Sequence, residues 1–284
     1  MSSGFRYATI AAIVWAIAII LERILLHQTS NLTLTVAIWA SIFELPYWMI
    51  KAFQFRRDIR SLNAKAWGVL LGIALVSSVG VTITEVYALT YSPAVNYSFL
   101  IRTVILFTIL EAYIFLKEPL TKKKIILAVV ILVGSYFLTT KGRVLSLSTG
   151  DILTITEALL ISLGNNVLGR IAAKIVHSDV AASVSTLLGF IPLLIVTWWQ
   201  HALVIPSGIP LIIALTICQI LITTFRYRAL KESSASFVTM IFSLTPVIVS
   251  VLAFSFLGES LTLIQIFGGL LIIAAGIGVE KLKI

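Results

Sequence analysis

Ten long, mostly apolar runs separated by short polar joints leave this chain few ways to fold. They fall near 5–26, 32–52, 66–89, 94–116, 123–140, 150–170, 179–199, 208–230, 234–256 and 262–280. A hydrocarbon layer about 30 Å thick is crossed by roughly 20 helical residues, and only helices or closed barrels satisfy their own backbone inside it. Joining two runs into one helix would carry that helix through Pro93, Lys122–Lys124, or Pro206 and Pro210. Proline geometry and the cost of buried charge both oppose this. The expected fold is an all-α integral membrane protein with ten transmembrane helices. Charged residues are only 12% of the chain and the mean hydropathy is +1.07, which excludes an ordinary soluble domain. The first run, Tyr7–Leu21, ends in Glu22-Arg23 instead of a small-residue cleavage site, so it is expected to persist as the first span.

The joints carry the charge, and they carry it on one side. With a cytoplasmic N-terminus, 17 of the 21 Lys and Arg residues face the cytoplasm. They are Arg6, Lys51, Arg56, Arg57, Arg60, Lys65, Lys117, Lys122 to Lys124, Arg170, Lys174, Arg226, Arg228, Lys231, Lys281 and Lys283. The outer side holds Arg23, Lys141 and Arg143, and Arg102 lies within a span. Such a bias orients membrane proteins, and it places both termini in the cytoplasm of a multi-pass plasma-membrane protein. The net charge of +9 is then explained by anionic lipid rather than by nucleic acid.

A repeat runs through the same joints. Residues 88–131 align without a gap on 229–272, at a constant offset of 141. Identical pairs include Ala88/Ala229, Ser92/Ser233, Ala94/Ala235, Ala112/Ala253, Glu118/Glu259 and Thr121/Thr262. The first copy reads Leu116-Lys-Glu-Pro-Leu-Thr-Lys-Lys-Lys124 where the second reads Leu257-Gly-Glu-Ser-Leu-Thr-Leu-Ile-Gln265. Conversely, the uncharged turn Thr90–Pro93 corresponds to a region with Arg226, Arg228 and Lys231. Two related units with opposite charge bias should lie in opposite orientations, and an odd number of spans in each forces that inversion. The expected units are residues 1–142 and 149–284, joined through Lys141–Gly150. Pro46 and Pro192, at an offset of 146, fall mid-span in the second helix of each unit and are candidate hinges.

Several motifs together resemble the EamA module of the drug/metabolite transporter superfamily. In the second half these are Arg228-Ala-Leu-Lys-Glu-Ser-Ser-Ala235, Ser243-Leu-Thr-Pro246, Leu257-Gly-Glu-Ser-Leu-Thr262 and Gly268-Gly269. The first half carries Ala88-Leu-Thr-Tyr-Ser-Pro-Ala94 and Leu116-Lys-Glu-Pro-Leu-Thr121, and Trp15 sits where the family's first helix has a Trp-Gly pair. The resemblance covers essentially the whole chain. It implies ten helices in two inverted five-helix repeats, and export or exchange of small metabolites, amino acids or toxic organic compounds. Three positions depart from the pattern: Ala16 replaces the glycine, Ile105 stands where the second copy has Pro246, and Arg102 adds a charge to the fourth span.

An ionisable side chain inside a span costs at least ~2.5–3.5 kcal/mol and needs a reason. The chain keeps Glu44, Glu85, Arg102, Glu111 and Glu157 there. Arg102 lies near the midpoint of its span, the depth of transporter sites. A guanidinium does not discharge by losing a proton, so it needs a carboxylate, a carbonyl or an anionic substrate. Glu44 and Glu85 are candidate counter-ions, which leaves two readings, a substrate site or a structural ion pair. The same two acids are candidates for proton coupling, since burial disfavours a carboxylate's charged form. Glu111 is nine residues from Arg102 and lies on the opposite helix face, so it belongs against a neighbouring helix. Trp15, Tyr87, Asn96 and Ser98 complete the candidate substrate-binding set, with Tyr91 and Tyr97 nearby; aromatic belts explain such residues equally well. Asn165, Asn166 and Gln219 read as polar contacts between helices.

Catalytic signals are absent. His27, His177 and His201 fall in or beside separate joints, Cys218 is the single cysteine, and no His-Glu-x-x-His, Gly-x-Ser-x-Gly or phosphate-loop motif occurs. No enzyme, metal or cofactor is expected; the expected partners are a small-molecule substrate and membrane lipid, and a homodimer is left open. The reading is a secondary transporter, an exporter of an amino acid or organic acid by alternating access. The alternatives are a proton-coupled exporter of cationic drugs and a non-transporting membrane protein. Topology reporters inserted at Glu118 and Glu259 are expected to lie in opposite compartments; finding both on one side would remove the inverted arrangement.

Overall fold

The computed structural model describes residues 2–28, 33–146, 148–258 and 260–281, with the side chains of all these except His27, Gln28 and Leu257. Leu32, at the expected start of the second span, the motif residue Glu259 and the terminal Lys283 lie outside the described residues. Among the described residues there is helix but no strand, and ten helices are long and apolar enough to cross a membrane. In order they are α1 (Ser3–Leu26), α2 (Thr33–Gln54), α3 (Ala64–Tyr91), α4 (Ala94–Leu116) and α5 (Lys122–Thr140). Then follow α6 (Thr149–Ile175), α7 (Ser178–Trp199), α8 (Ile209–Glu232), α9 (Ala235–Phe256) and α10 (Leu263–Lys281). The chain is an all-α membrane protein with the expected ten spans.

The largest departure from the expected boundaries is at α6, which continues to Ile175 past the end of its apolar run at Arg170. Charge ends the apolar run without ending the helix. The Arg170 guanidinium donates to the carbonyl oxygen of Leu230 on α8, and helical geometry stops only at Val176. Elsewhere local capping marks the ends. The Thr121 hydroxyl accepts the Lys124 N–H at the start of α5, and the Ser234 hydroxyl accepts the Phe237 N–H at the start of α9. Both α4 and α9 end on a left-handed residue, Lys117 at φ 56° and Gly258 at φ 68°. These positions are repeat mates; glycine takes the conformation freely, whereas lysine holds it at a cost of ~1–2 kcal/mol.

Four helices lose α geometry near mid-length. Widened turns occupy Val76–Val81 in α3 and Ser162–Leu168 in α6, a tightened turn occupies Ile101–Thr103 in α4, and α9 breaks at 243–244. The breaks in α4 and α9 correspond, since Arg102 and Ser243 are separated by the repeat offset. By contrast, α2 and α7 keep α geometry through Pro46 and Pro192. The interruptions therefore lie at other positions than the two prolines, in helices around the centre of the bundle.

Several helix contacts recur when each helix is exchanged for the one five places later. α1 packs on α8 and α9, as α6 packs on α3 and α4; α2 packs on α8, as α7 does on α3. The pairs α2–α7, α4–α9 and α5–α10 face each other directly. At one end Gly4 lies against the Ser233 side chain; at the other Gly150 lies against the Tyr91-Ser92 backbone. Lipid supplies little hydrophobic drive between helices, so close packing of small residues has to hold them. Ala8, Ala11, Ala12 and Ala16 accordingly form a fully buried face of α1, while Ile126, Val129, Phe267 and Leu270 point outward. The α5–α10 crossing is tighter still. A Cβ on Gly134 would stand 2.7 Å from the Gly268 carbonyl oxygen, and one on Gly268 would stand 2.5 Å from that of Gly134. Replacing Gly134 with Leu is expected to cost ~1–3 kcal/mol through overpacking, measured as a lowered melting temperature in detergent. Gly68→Leu, where a Cβ meets nothing within 4 Å, should melt like the parent chain.

Candidate functional site

The broken helices surround two adjoining cavities near mid-depth. The smaller, about 60 Å³, is lined by Trp15, Arg102, Asn165, Asn166, Arg226 and Ser243 among others. The larger, about 130 Å³, is lined by Ser41, Glu44, Ser77, Ser78, Asn165 and Arg226 among others. Asn165 and Arg226 belong to both. Each cavity exceeds the ~10–15 Å³ needed for a water molecule.

Each wall residue is set by a local feature. Arg102 sits on the tightened turn of α4, which re-aims its side chain relative to a straight helix. Its Nε is buried without a hydrogen-bond partner, as is the Nε of Arg226. Among the described residues no carboxylate pairs with either guanidinium. Asn165 and Asn166 come from the widened turn of α6. The Ser77 hydroxyl donates to Asn165 Oδ1 at 2.9 Å, and Asn166 Nδ2 donates to Thr108 Oγ1 at 2.9 Å. Gly164 makes room for Ser77, and Gly189 for Ser78. Trp15 packs edge-on against Phe242, with ring centroids 5.7 Å apart. Glu44 accepts the Trp48 indole N–H at 3.0 Å, so Trp48, and not Arg102, is its partner.

A second group of acids lies toward the end of the bundle remote from the lysine-rich joints. Tyr97 donates its hydroxyl to Glu157 Oε1 at 3.0 Å. Glu85 lies within electrostatic reach of Glu22, Tyr97 and Glu157. Glu85 is thus grouped with acids and with Tyr97, apart from the walls of the two cavities. Among the described residues no cluster of His, Cys, Asp and Glu suited to a metal ion is present.

The remaining candidates divide cleanly. Tyr87 is exposed and stacks on Tyr91 at 6.4 Å, outside both cavities. Ser98 is half-buried and lines neither. Asn96 is a structural tie, its Nδ2 donating to Asp151 Oδ2 at 2.9 Å and to the Ser146 carbonyl at 2.7 Å. Glu111 accepts the Ser162 hydroxyl of α6, the neighbouring-helix contact expected from its face. Arg226 is the cavity-lining position that counting charges in joints misses, since it falls within a run of basic residues. The repeat offset identifies it: Arg226 is the mate of Glu85, just as Ser243 is the mate of Arg102.

Two carboxylates, the buried Asp151 and the partly buried Glu118, tie opposite ends of the bundle. Asp151 accepts from Ser92 Oγ at 2.6 Å, Asn96 Nδ2 at 2.9 Å and Ser148 N at 2.8 Å. At the lysine-rich end Glu118 accepts the Ala235 N–H at 2.7 Å and the Ser236 hydroxyl at 2.7 Å, with Lys124 Nζ 3.6 Å away. A carboxylate at the first turn of α9 is also favoured by the helix dipole.

The family model described as "EamA-like transporter family" matches residues 2–140 and again 148–279. The chain belongs to this family. It is 26% identical over 238 residues to the uncharacterized transporter YyaM of Bacillus subtilis, covering 79% of this chain and 74% of that one. It is 28% identical over 242 residues to an uncharacterized transporter of Clostridium kluyveri, covering 78% of this chain and 76% of that one. A protein of known crystal structure superposes with a TM-score of 0.82 over 99% of both chains at 15% identity, a likeness of fold alone.

Removing the Glu118 tie leaves the α9 donors without their acceptor, at ~1–3 kcal/mol. In a Cys218→Ala background carrying Ser243→Cys, Glu118→Ala is expected to speed labelling by a membrane-impermeant maleimide added at the lysine-rich face. An unchanged labelling rate would show that Glu118 does not help close that end.

Proposed function

We propose that this transporter moves a small anionic metabolite, an amino acid or organic acid, outward across the plasma membrane by alternating access. The two five-helix units would lie inverted with respect to each other, with both termini cytoplasmic and the lysine-rich joints facing the inner leaflet. Positive charge on cytoplasmic joints and the exchangeable pattern of helix contacts support that orientation. Rocking of one unit against the other would expose the cavities to each side in turn. The breaks at 101–103 and 243–244 are the hinge candidates, with Pro46 and Pro192, where each ring removes one backbone hydrogen bond from an unbroken helix.

The observation that carries the substrate reading is the Arg102 guanidinium, lining a mid-depth cavity with no carboxylate partner. Charge-assisted hydrogen bonds to a carboxylate contribute ~1.5–3 kcal/mol, about 10- to 100-fold in affinity. A second reading, proton-coupled export of a cationic compound, draws support from Glu44 in the larger cavity and from the acids around Glu85.

Uptake of radiolabelled solutes into proteoliposomes separates the two. Anionic metabolites are expected to accumulate, with Arg102→Ala lowering uptake at least ~10-fold and Arg102→Lys retaining part of it. Transport of a cationic dye, lost in Glu44→Gln and Glu85→Gln but unaffected by Arg102→Ala, would overturn the anion reading.

A further inference from the structure

The smaller cavity has one guanidinium more than a monoanionic substrate requires. Arg102 comes from α4 and Arg226 from α8, and both line it. The Nε of each is buried without a hydrogen-bond partner. No carboxylate lines this cavity; its polar wall is Asn165, Asn166, Thr239 and Ser243. The nearest acids stand outside this wall. Glu44, bonded to Trp48, faces Arg226 only across the adjoining cavity, and Glu111 is bonded to Ser162. Glu157 accepts from Tyr97 through Oε1 while its Oε2 is buried without a partner.

Two guanidiniums facing one cavity away from bulk water repel each other, and neither can release its charge as a proton. A monoanion bound there would neutralise one and leave the other desolvated and unpaired, an arrangement that proteins avoid. Resting on the reading of this cavity as the transport site, we propose that the substrate is a dianion: a small dicarboxylate or a phosphate. Arg102 and Arg226 each hold one of its charges.

The rest of the wall suits such a solute. Planar guanidiniums match the paired oxygens of carboxylate and phosphate, and Asn166 and Ser243 add neutral hydrogen-bonding groups beside them. Val104, Ile105, Ile161 and Phe242 close the apolar side, leaving room for only a short hydrocarbon link between charges. Asn165, shared by both cavities, lies where a longer dianion would extend toward Ser77 and Ser78. Since the two arginines stand on helices from different five-helix units, a dianion bridges those units, whereas a monoanion grips only one.

The test is binding to the full chain in lipid nanodiscs, followed by melting-temperature titration with succinate, inorganic phosphate and lactate. Succinate or phosphate is expected to bind at least ~10-fold more tightly than lactate, and the better of the two identifies the dianion class. Arg226→Gln should abolish that preference. Arg226→Lys, which keeps the charge, should restore part of the preference. A ligand-free melting temperature near that of the parent chain shows that each variant is folded. Lactate binding as tightly as both dianions, or dianion binding unaltered in both arginine variants, overturns the proposal. If lactate binding depends on Arg102 but no dianion is favoured, this inference falls and the anion-transport reading stands. If no anion shifts the melting temperature at all, both fall together.

Discussion

Hydrocarbon offers no hydrogen bonds, and everything in this structure follows from that lack. Each polar group within a span must find its partner inside the protein, so the backbone closes into ten helices and side chains pair between them. Thr108 with Asn166, Ser77 with Asn165 and Ser162 with Glu111 are solutions of this kind. They gather on the faces α3, α4 and α6 turn to one another. Other buried atoms lack such partners, among them Glu157 Oε2, the Thr9, Ser135 and Thr224 hydroxyls, and the Nε atoms of Arg102 and Arg226, the two that belong to charged groups on the smaller cavity's wall.

The same lack explains why helices are broken where they are. A turn that departs from α geometry frees backbone groups, which a lipid-facing helix cannot tolerate and a cavity-facing one can. All four interruptions occur in α3, α4, α6 and α9, helices that contribute side chains to the cavity walls. Prolines 46 and 192 lie in α2 and α7, which also line the larger cavity through Glu44, Phe190 and Leu193 but keep α geometry. Cavity-lining helices thus include both broken and unbroken ones, and proline does not mark the breaks.

The spans were legible because lipid imposes a simple length and composition code, and the chain obeys it to within a few residues. Arg102, Trp15 and Glu44 line the cavities, and charge and aromaticity at mid-span are rare enough to draw notice in the sequence. Asn96, Tyr87, Ser98 and Glu85 could not be separated from them, since spacing along one helix says nothing about which neighbour fills the opposite face. Arg226 was hidden differently. It lies only a turn or two from Arg228 and Lys231, so sequence context absorbs it into a basic joint, although α8 continues well past it. Its position at the repeat offset from Glu85 was the signal available, and it also shows the two copies placing opposite charges at matching places.

The alanine face of α1 has a mechanical consequence. Alanine has no rotamers to interlock, so that part of the surface α1 turns toward α8 and α9 is smooth. Rings fill the rest of it, Phe5 on Phe237, Tyr7 on Phe225 and Trp15 on Phe242, and a change of tilt has to shift those rings. At the glycines of α5 and α10 backbone meets backbone instead. One side of the molecule is thereby joined through side chains that can change rotamer, and the other is clamped by groups that cannot.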